Sequence, residues 1–294
     1  MIKLFLVLYI FIAGLYADKK ITVATTIYPI YDAVKIVGGK NIDVKKIISS
    51  SQDIHEFSPT PKDVIKIINS DIFLYMGAGL DNFLLRFRDN KLAYDLSKGL
   101  ILEDEDDEHH DEHHDEHGHD EHVDAHYWLD IDLYIKVVDK ISKILVKADK
   151  KNSVLYKNRA SDYILELKKL KSSYKSSLSE CKRDTIVVNH NAYAYLGEKY
   201  NFKIHSLSGN SSHSRESAKN MKEAIEHLKS LKNPTIFGEP FGNSNALKMV
   251  ASEASAEVKV LETLANITKN QEDENYISLM KKNLVLLMKA LDCN

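Results

Sequence analysis

The fold is decided by residues 152–179, which read NSVLYKNRASDYILELKKLKSSYKSSLS. Apolar side chains recur there at the spacing of one helix face over about 28 residues, which is long for a helix inside a single globular domain. On both sides of this stretch, short β-rich runs alternate with helical patterns, as is typical of parallel sheets covered by helices. We therefore predict two similar α/β halves joined by one long helix.

The alternation also predicts the individual elements of each half. Before the long helix, strands are predicted at 21–25, 42–48 and 71–76, and helices at 28–37, 62–69 and 131–147. After it, strands are predicted at 185–189, 203–207, 235–237 and 257–261, and helices at 192–200, 214–231, 244–254 and 274–291. The predicted domains are an N-terminal lobe at 18–150, the linking helix at 151–180 and a C-terminal lobe at 181–294. Ligands of open α/β sheets bind outside the carboxyl ends of the strands, so we expect the site in the cleft between the lobes.

The charge of the chain is distributed very unevenly. Residues 103–122, which we call the acidic His tract, hold 12 of the 43 acidic residues and 7 of the 13 His. The remainder has 40 basic and 31 acidic residues, a net charge of +9. Its Lys residues are spread along predicted helices without Arg or aromatic clusters, so we expect no nucleic-acid binding.

The N-terminus predicts export. A short basic start at 1–3 precedes an apolar run at 4–12, and cleavage after Ala17 would remove a signal peptide of residues 1–17. The run is too short to span a bilayer comfortably, so the mature chain is expected not to be membrane-inserted; a buried first element is the alternative. No Cys lies near the cleavage point, so no lipid anchor is expected. In an exported chain, the lone pair Cys181 and Cys293 favours a disulfide over two free thiols.

Three His lie in loops after or between predicted elements. His55 follows the strand at 42–48, His126 lies two residues before the single Trp, and His190 directly follows the strand at 185–189. Imidazole is the commonest nitrogen ligand of zinc, and three or four donors from separate loops suit a tetrahedral site. The three contexts together favour a metal site.

These His lie in three motifs that resemble those of one protein family. The segments are HEFSPTPKD at 55–63, DAHYW at 124–128 and NHNAYAYLGEKY at 189–200. In order and spacing they are similar to motifs of the cluster A-I solute-binding proteins of bacterial ABC importers, the ZnuA and TroA type, except that Ala125 replaces a Pro. The resemblance extends over residues 21–291. It implies two (β/α)4-like lobes with mostly parallel sheets, a long backbone helix between them, and a metal in the inter-lobe cleft.

The resemblance further implies that His55, His126 and His190 are metal ligands. The family's fourth ligand is an Asp in a turn near the C-terminus, where this chain has LETL at 261–264 and therefore a carboxylate at Glu262.

The identity of the fourth metal ligand stays open. Because the Pro of that turn is lost, water, Glu239 or Glu56 could replace Glu262, and the resemblance also implies that Glu239 lines the cleft. The alternative to a role of Glu239 in the cleft is that its carboxylate only stabilises the N-terminus of the following helix.

The donor set favours zinc over manganese, because several imidazoles suit zinc whereas manganese prefers oxygen. The acidic His tract resembles a loop of the zinc members, and we expect it to be solvated and to capture zinc weakly; a charged spacer is the alternative. Its His residues are His109, His110, His113, His114, His117, His119 and His122.

The implied function is that of a periplasmic zinc-binding protein of a Gram-negative bacterium. It would be a monomer that delivers Zn²⁺ to the membrane permease of a zinc ABC importer, and would not be an enzyme. Three alternatives remain: a manganese-binding member, an exported zinc-dependent hydrolase, or a surface adhesin. No His-Glu-x-x-His, Gly-x-Ser-x-Gly or phosphate-loop motif supports a hydrolase.

Overall fold

The computed structural model describes residues 20–50, 52, 54, 57–81, 84, 86, 92–103, 123–208, 217–241 and 244–294. The predicted signal peptide at 1–17 and all of the acidic His tract except Glu103 lie outside these residues.

Two sheets of four parallel strands form the framework. The first has the order β2-β1-β3-β4, with β1 at Ile21–Thr25, β2 at Ile42–Lys46, β3 at Ile72–Tyr75 and β4 at Leu92–Asp95. The second repeats the pattern as β6-β5-β7-β8, with β5 at Thr185–Val188, β6 at Lys203–Ser206, β7 at Thr235–Gly238 and β8 at Glu257–Val260. In each sheet the direction of strand addition reverses between the two central strands, where ligand-binding crevices form in parallel sheets.

Eight α-helices cover and connect the sheets in the described ranges. They are α1 (Tyr28–Gly38), α2 (Pro61–Ile68), α3 (Ile131–Ala148), α4 (Ser153–Ser177), α5 (Ala194–Tyr200), α6 (Ala218–Lys229), α7 (Asn245–Glu253) and α8 (Tyr276–Ala290). Within these ranges, no helix combines the length and apolar character needed to cross a membrane.

Helix α4 is the long connection that the sequence predicts. Its 25 residues carry one buried stripe at the helical spacing, and the rest of its surface is largely polar. The stripe consists of Tyr156, Ala160, Tyr163, Leu167, Leu170 and Tyr174. Helix α4 packs against α1 and α3 of the first lobe and against α8 of the second, so one helix supports both lobes.

The predicted fold class is confirmed, and the element positions agree closely with the structure. One strand was missed: β4, a four-residue edge strand whose sequence LAYD is too short to show an alternating pattern. The predicted disulfide between Cys181 and Cys293 is present and ties the C-terminal end of the chain to the segment that precedes β5.

The N-terminus of α8 is held by the opposite lobe. Asp32 of α1 is 4% exposed, and its Oδ2 accepts hydrogen bonds from the backbone N–H of Tyr276 (3.0 Å) and the hydroxyl of Tyr163 (3.1 Å). The Tyr276 ring stacks on Tyr134, with ring centroids 3.8 Å apart. Burial raises the pKa of Asp32 from 3.8 to about 6, although both hydrogen bonds act in the opposite direction. A desolvated carboxylate therefore lies at the contact between the lobes.

This pKa predicts a specific pH dependence of stability. Between about pH 4 and pH 6 the native protein binds more protons at Asp32 than the unfolded chain, so its contribution to the free energy of unfolding falls as pH rises. We expect the difference in unfolding free energy between wild type and Asp32→Asn to fall by up to about 3 kcal/mol from pH 4 to pH 7, measured by urea unfolding of metal-free protein. The exposed Asp139, paired with Lys143, provides the control Asp139→Asn. Parallel pH profiles for wild type and Asp32→Asn would contradict the prediction.

Candidate metal site

His190 and Glu239 are positioned by the centre of the second sheet. His190 comes two residues after β5 and Glu239 directly after β7, and these strands are neighbours. Their carboxyl ends therefore bring the two side chains together, and Nδ1 of His190 lies 2.9 Å from Oε1 of Glu239. With Nδ1–H donating to this carboxylate, Nε2 of His190 keeps its lone pair for a metal ion.

His126 has a matching arrangement in the loop before α3. Oδ1 of Asp124 accepts a hydrogen bond from the backbone N–H of His126 (2.9 Å) and a second from Nδ1 of its ring (2.7 Å). The loop is also tied to the second lobe. Tyr195 of α5 donates to the carbonyl of Asp124 (2.8 Å), and Nε1 of Trp128 donates to the carbonyl of Thr263 (2.8 Å). Asp124 thus fixes both the position and the tautomer of the His126 ring.

The two imidazoles meet at one small cavity. Their ring centroids are 5.1 Å apart, and both residues are only 6% exposed. The cavity offers about 10 Å³ to the centre of a water-sized sphere, which suits a single ion or water molecule. Its lining residues are Gln52, Ile54, His126, His190, Glu239, Phe241, Thr263, Ala265 and Asn266.

Glu262 lies next to this lining but has a different partner. Its Oε1 accepts a hydrogen bond from Nε2 of Gln271 (2.6 Å), and its neighbour Thr263 is the residue that lines the cavity. Oε2 of Glu262 is buried and has no hydrogen-bond partner among the described residues. Burial raises the pKa of the Glu262 carboxyl above its ordinary value. A desolvated carboxylate with an unsatisfied oxygen is the kind of group that a cation stabilises.

His55 and Glu56 lie outside the described residues. What the structure shows of their motif is its end, where α2 begins. Thr60 accepts from the backbone N–H of Asp63, Asp63 accepts from that of Thr60, and Pro61 occupies the first helical position. The TPKD part of the motif is therefore a capping box that fixes the end of the His55 loop. Within the described ranges, no three His, Cys, Asp or Glu side chains are grouped so that they could hold a metal ion.

The other His residues have different surroundings. The seven His of the acidic His tract, and His213, lie outside the described residues. Glu103, at the start of the tract, donates its backbone N–H to the hydroxyl of Tyr195 (3.1 Å), so the tract begins beside the His126 loop. Nε2 of His205 lies 2.9 Å from the carbonyl oxygen of Asn220, and His227 lies half-buried on α6.

Sequence reasoning identified Glu239 as a cleft residue but missed the role of Asp124 and the cavity residue Asn266. Asp124 was recognised only as part of a motif, although an Asp two residues before a His is a spacing that allows a local side-chain hydrogen bond to the backbone. Asn266, which also lines the cavity, lies outside all three motifs and has no sequence signature.

Comparison with known proteins gives a consistent result. The family model described as "ZnuA: Zinc-uptake complex component A periplasmic" matches residues 23–290. The high-affinity zinc uptake system protein ZnuA of Bacillus subtilis is 31% identical over 280 residues, which cover 92% of this chain and 88% of that protein. The zinc-binding lipoprotein AdcA of Streptococcus pneumoniae is 31% identical over 286 residues; the match covers 94% of this chain but 57% of AdcA, so the chain spans little more than half the length of that relative. The crystal structure of the Zn(II)-bound ZnuA-like domain of the same AdcA has a TM-score of 0.76 and 28% identity, with 93% of this chain and 100% of that chain covered.

The Asp124 arrangement generates a prediction about metal affinity. Replacing Asp124 by Ala removes the acceptor that orients the His126 ring, and loss of such a partner typically weakens metal binding by about 10- to 100-fold. We expect a loss of Zn²⁺ affinity in this range, measured by competition with a chelator. Asp184→Ala, at the opposite end of β5 from His190, is the control and should bind Zn²⁺ as wild type does. Equal affinities of the Asp124 variant and wild type would show that this carboxylate does not support a metal ligand.

Proposed function

Because the chain belongs to the ZnuA family of zinc-uptake components, we propose that it captures Zn²⁺ outside the cytoplasmic membrane and delivers it to the permease of an ABC importer. The observation that carries the proposal is the pair of buried imidazoles, each with a carboxylate on Nδ1, at a cavity sized for one ion. Neutral imidazoles oriented in this way are chemically suited to bind zinc, which supports the proposal independently of the comparisons.

We propose His55, His126, His190 and Glu262 as the four ligands. His126 and His190 are supported by their meeting at the cavity, and His55 by its place in the chain, one residue after Ile54 of the cavity wall. Glu262 is supported by its desolvated, unsatisfied oxygen and by the contact of Thr263 with the cavity.

Glu239 and Glu56 are the alternatives for the fourth position. Glu239 lines the cavity, but its Oε1 already accepts from His190, so we assign it the role of orienting that ring.

Zinc is the metal that this donor set favours. Three imidazoles and one carboxylate suit zinc, whereas a manganese site would be richer in oxygen ligands. The relatives described above are themselves named as zinc-uptake or zinc-binding proteins.

The proposed setting is the periplasm of a Gram-negative bacterium, with the protein acting as a monomer and not as an enzyme. The Cys181–Cys293 disulfide supports an oxidising compartment. The ion-sized cavity supports binding over catalysis, because a hydrolase needs room for its substrate beside the metal. For the acidic His tract we propose weak zinc capture next to the site, since its first residue bonds to Tyr195 beside the His126 loop.

Single substitutions test the ligand set. His55→Ala, His126→Ala and His190→Ala should each lower Zn²⁺ affinity by at least tenfold, whereas His227→Ala, on α6, should not. Affinity should also fall as pH drops through the His range near 6.5, because imidazoles must be neutral to bind. Isothermal calorimetry with a competing chelator measures both effects. An unchanged His190 variant would refute the three-His assignment.

Two isosteric variants separate the candidates for the fourth position. Glu262→Gln should weaken Zn²⁺ binding more than Glu239→Gln does, because an amide at 239 can still accept from Nδ1–H of His190. The reverse order would make Glu239 the fourth ligand.

Deleting the acidic His tract tests its role separately. The deletion should lower the number of Zn²⁺ ions bound at high free zinc and leave the first, tight binding event within a few fold of wild type. The composition of the tract predicts that it cannot form a packed core, so binding would have to order it and its sites should be weaker than that of the cavity. Added salt should weaken the tract sites more, because exposed charges are screened within about 8 Å at physiological ionic strength. Collapse of the tight affinity on deletion would mean that the tract supplies a primary ligand.

A further inference from the structure

Asn266 connects the two lobes at the edge of the metal cavity. It is 2% exposed, and its Nδ2 donates to the backbone carbonyls of Ser49 and Gln52 (3.0 Å to Gln52). Ser49 and Gln52 belong to the loop that follows β2 of the first sheet, whereas Asn266 belongs to the segment that follows β8 of the second. One buried amide group thus joins the carboxyl-end loops of two different sheets.

The orientation of this amide is determined by its surroundings. Its Oδ1 accepts from Nζ of Lys46 (3.3 Å) and from the backbone N–H of Ile267 (2.9 Å). Lys46 can only donate, so the oxygen must face it and the NH₂ group must face the carbonyls. Lys46 is itself held by the hydroxyl of Ser50 (3.0 Å), and its partial burial lowers the pKa of its ammonium group. The amide nitrogen and oxygen of Asn266 therefore each make two hydrogen bonds, and only one orientation of the amide allows all four.

The segment that carries Asn266 is fixed against the first lobe. The carbonyl of Thr263 accepts from Trp128, and the carbonyl of Ala265 accepts from the backbone N–H of Tyr28 at the start of α1 (3.0 Å). Between them, Leu264 has a φ of +58°, a left-handed conformation that is costly for a branched side chain. The hydrogen bonds to the carbonyls of Thr263 and Ala265 hold the turn on both sides of Leu264. Asn266 is thus presented to the β2 loop from a rigid base.

The residues held by Asn266 form one wall of the metal cavity. The carbonyl of Gln52 accepts a hydrogen bond from Asn266, and Gln52 also lines the cavity. Ile54, two residues further on, lines the cavity as well. A displaced loop would move this wall away from His126 and His190, and a metal site loses affinity when its supporting residues let the ligands shift by even about 1 Å.

We propose that Asn266 is a positioning residue for zinc binding, which holds the loop after β2 in register with the imidazoles of the other loops. The inference rests on the proposed zinc-binding function. It assigns Asn266 no contact with the metal ion; the side chain acts on affinity through the loop, by its two hydrogen bonds to the carbonyls of Ser49 and Gln52.

The test compares two variants of Asn266 with a matched control, each in the chain of residues 18–294, with Zn²⁺ as the probe. Asn266→Asp keeps the size and the oxygen that faces Lys46 but places a second oxygen against the two carbonyls. Its added negative charge would by itself attract a cation, so a lower affinity cannot be an effect of charge. Asn266→Ala removes the side chain. The control is Asn41→Ala, since Asn41 also bonds through both its amide nitrogen (to Asn152, 2.9 Å) and its oxygen (from Arg159, 3.3 Å), but in the contact of the first lobe with α4.

We expect both Asn266 variants to bind Zn²⁺ about tenfold more weakly and to release it faster, as is typical for loss of an outer-shell partner. Asn41→Ala should lower the melting temperature of the metal-free protein and leave Zn²⁺ affinity within twofold. Equal weakening by Asn41→Ala would reduce the effect to general destabilisation and overturn the proposal. Wild-type affinity of both Asn266 variants would also overturn it, provided that His190→Ala has lost zinc. If His190→Ala binds zinc normally as well, the proposed zinc site itself has failed.

Discussion

Hydrogen bonds between the two lobes are the constraint on which the candidate site depends. The proposed ligands come from loops of both sheets, so the sheets must be held relative to one another to within a fraction of a metal–ligand bond length. The long helix α4 brings the lobes together, but the fine adjustment is made by buried polar contacts: Trp128 with Thr263, Tyr195 with Asp124, and Tyr28 with Ala265. Two of the carbonyls belong to the cavity residues Thr263 and Ala265, and the third belongs to Asp124, the partner of His126. Leaving such a buried carbonyl unpaired would be costly. The polar groups that fix the lobes are thus the same ones that shape the cavity.

The second physical requirement is that each imidazole present one particular nitrogen. A free His exchanges its proton between Nδ1 and Nε2, and only the deprotonated nitrogen can bind a metal. Asp124 and Glu239 settle this for His126 and His190 by accepting from Nδ1. They do so in different ways, since Asp124 lies two residues from its His in the same loop, whereas Glu239 reaches its His from the neighbouring strand β7. Among the described residues, Oε2 of Glu262 is desolvated and has no hydrogen-bond partner, so a cation would stabilise this carboxylate more than those of Asp124 and Glu239.

Much of the fold follows from sequence because its information is local. The helical spacing of α4, and the apolar runs of β1 and β5, are readable within windows of a few residues, and these elements begin and end close to the predicted positions. The strand β4 was missed because four residues at a sheet edge carry too little pattern. At the site, the three His were identified from their motifs, but Asn266 was not, because its partners Ser49 and Gln52 are more than two hundred residues away in the chain. A hydrogen bond between backbone carbonyls and a remote amide leaves no trace in the spacing of residue types, so only the packed structure reveals it.

The geometry also bears on whether a metal here would be delivered or used in catalysis. A zinc hydrolase needs an open coordination position, space for a substrate and, in many cases, a carboxylate free to act as general base. Among the described residues, the cavity admits about one ion and Glu262 is the proposed fourth ligand, whereas the carboxylates of Asp124 and Glu239 are both engaged on Nδ1 of an imidazole. Either carboxylate could take a proton from water only by weakening the hydrogen bond that orients a ligand, so catalysis and metal retention would compete for the same groups. A carrier has no such conflict, because it needs only to hold the ion and to release it when the loops that enclose it are displaced. The arrangement of the carboxylates therefore favours transport on chemical grounds that are independent of sequence similarity.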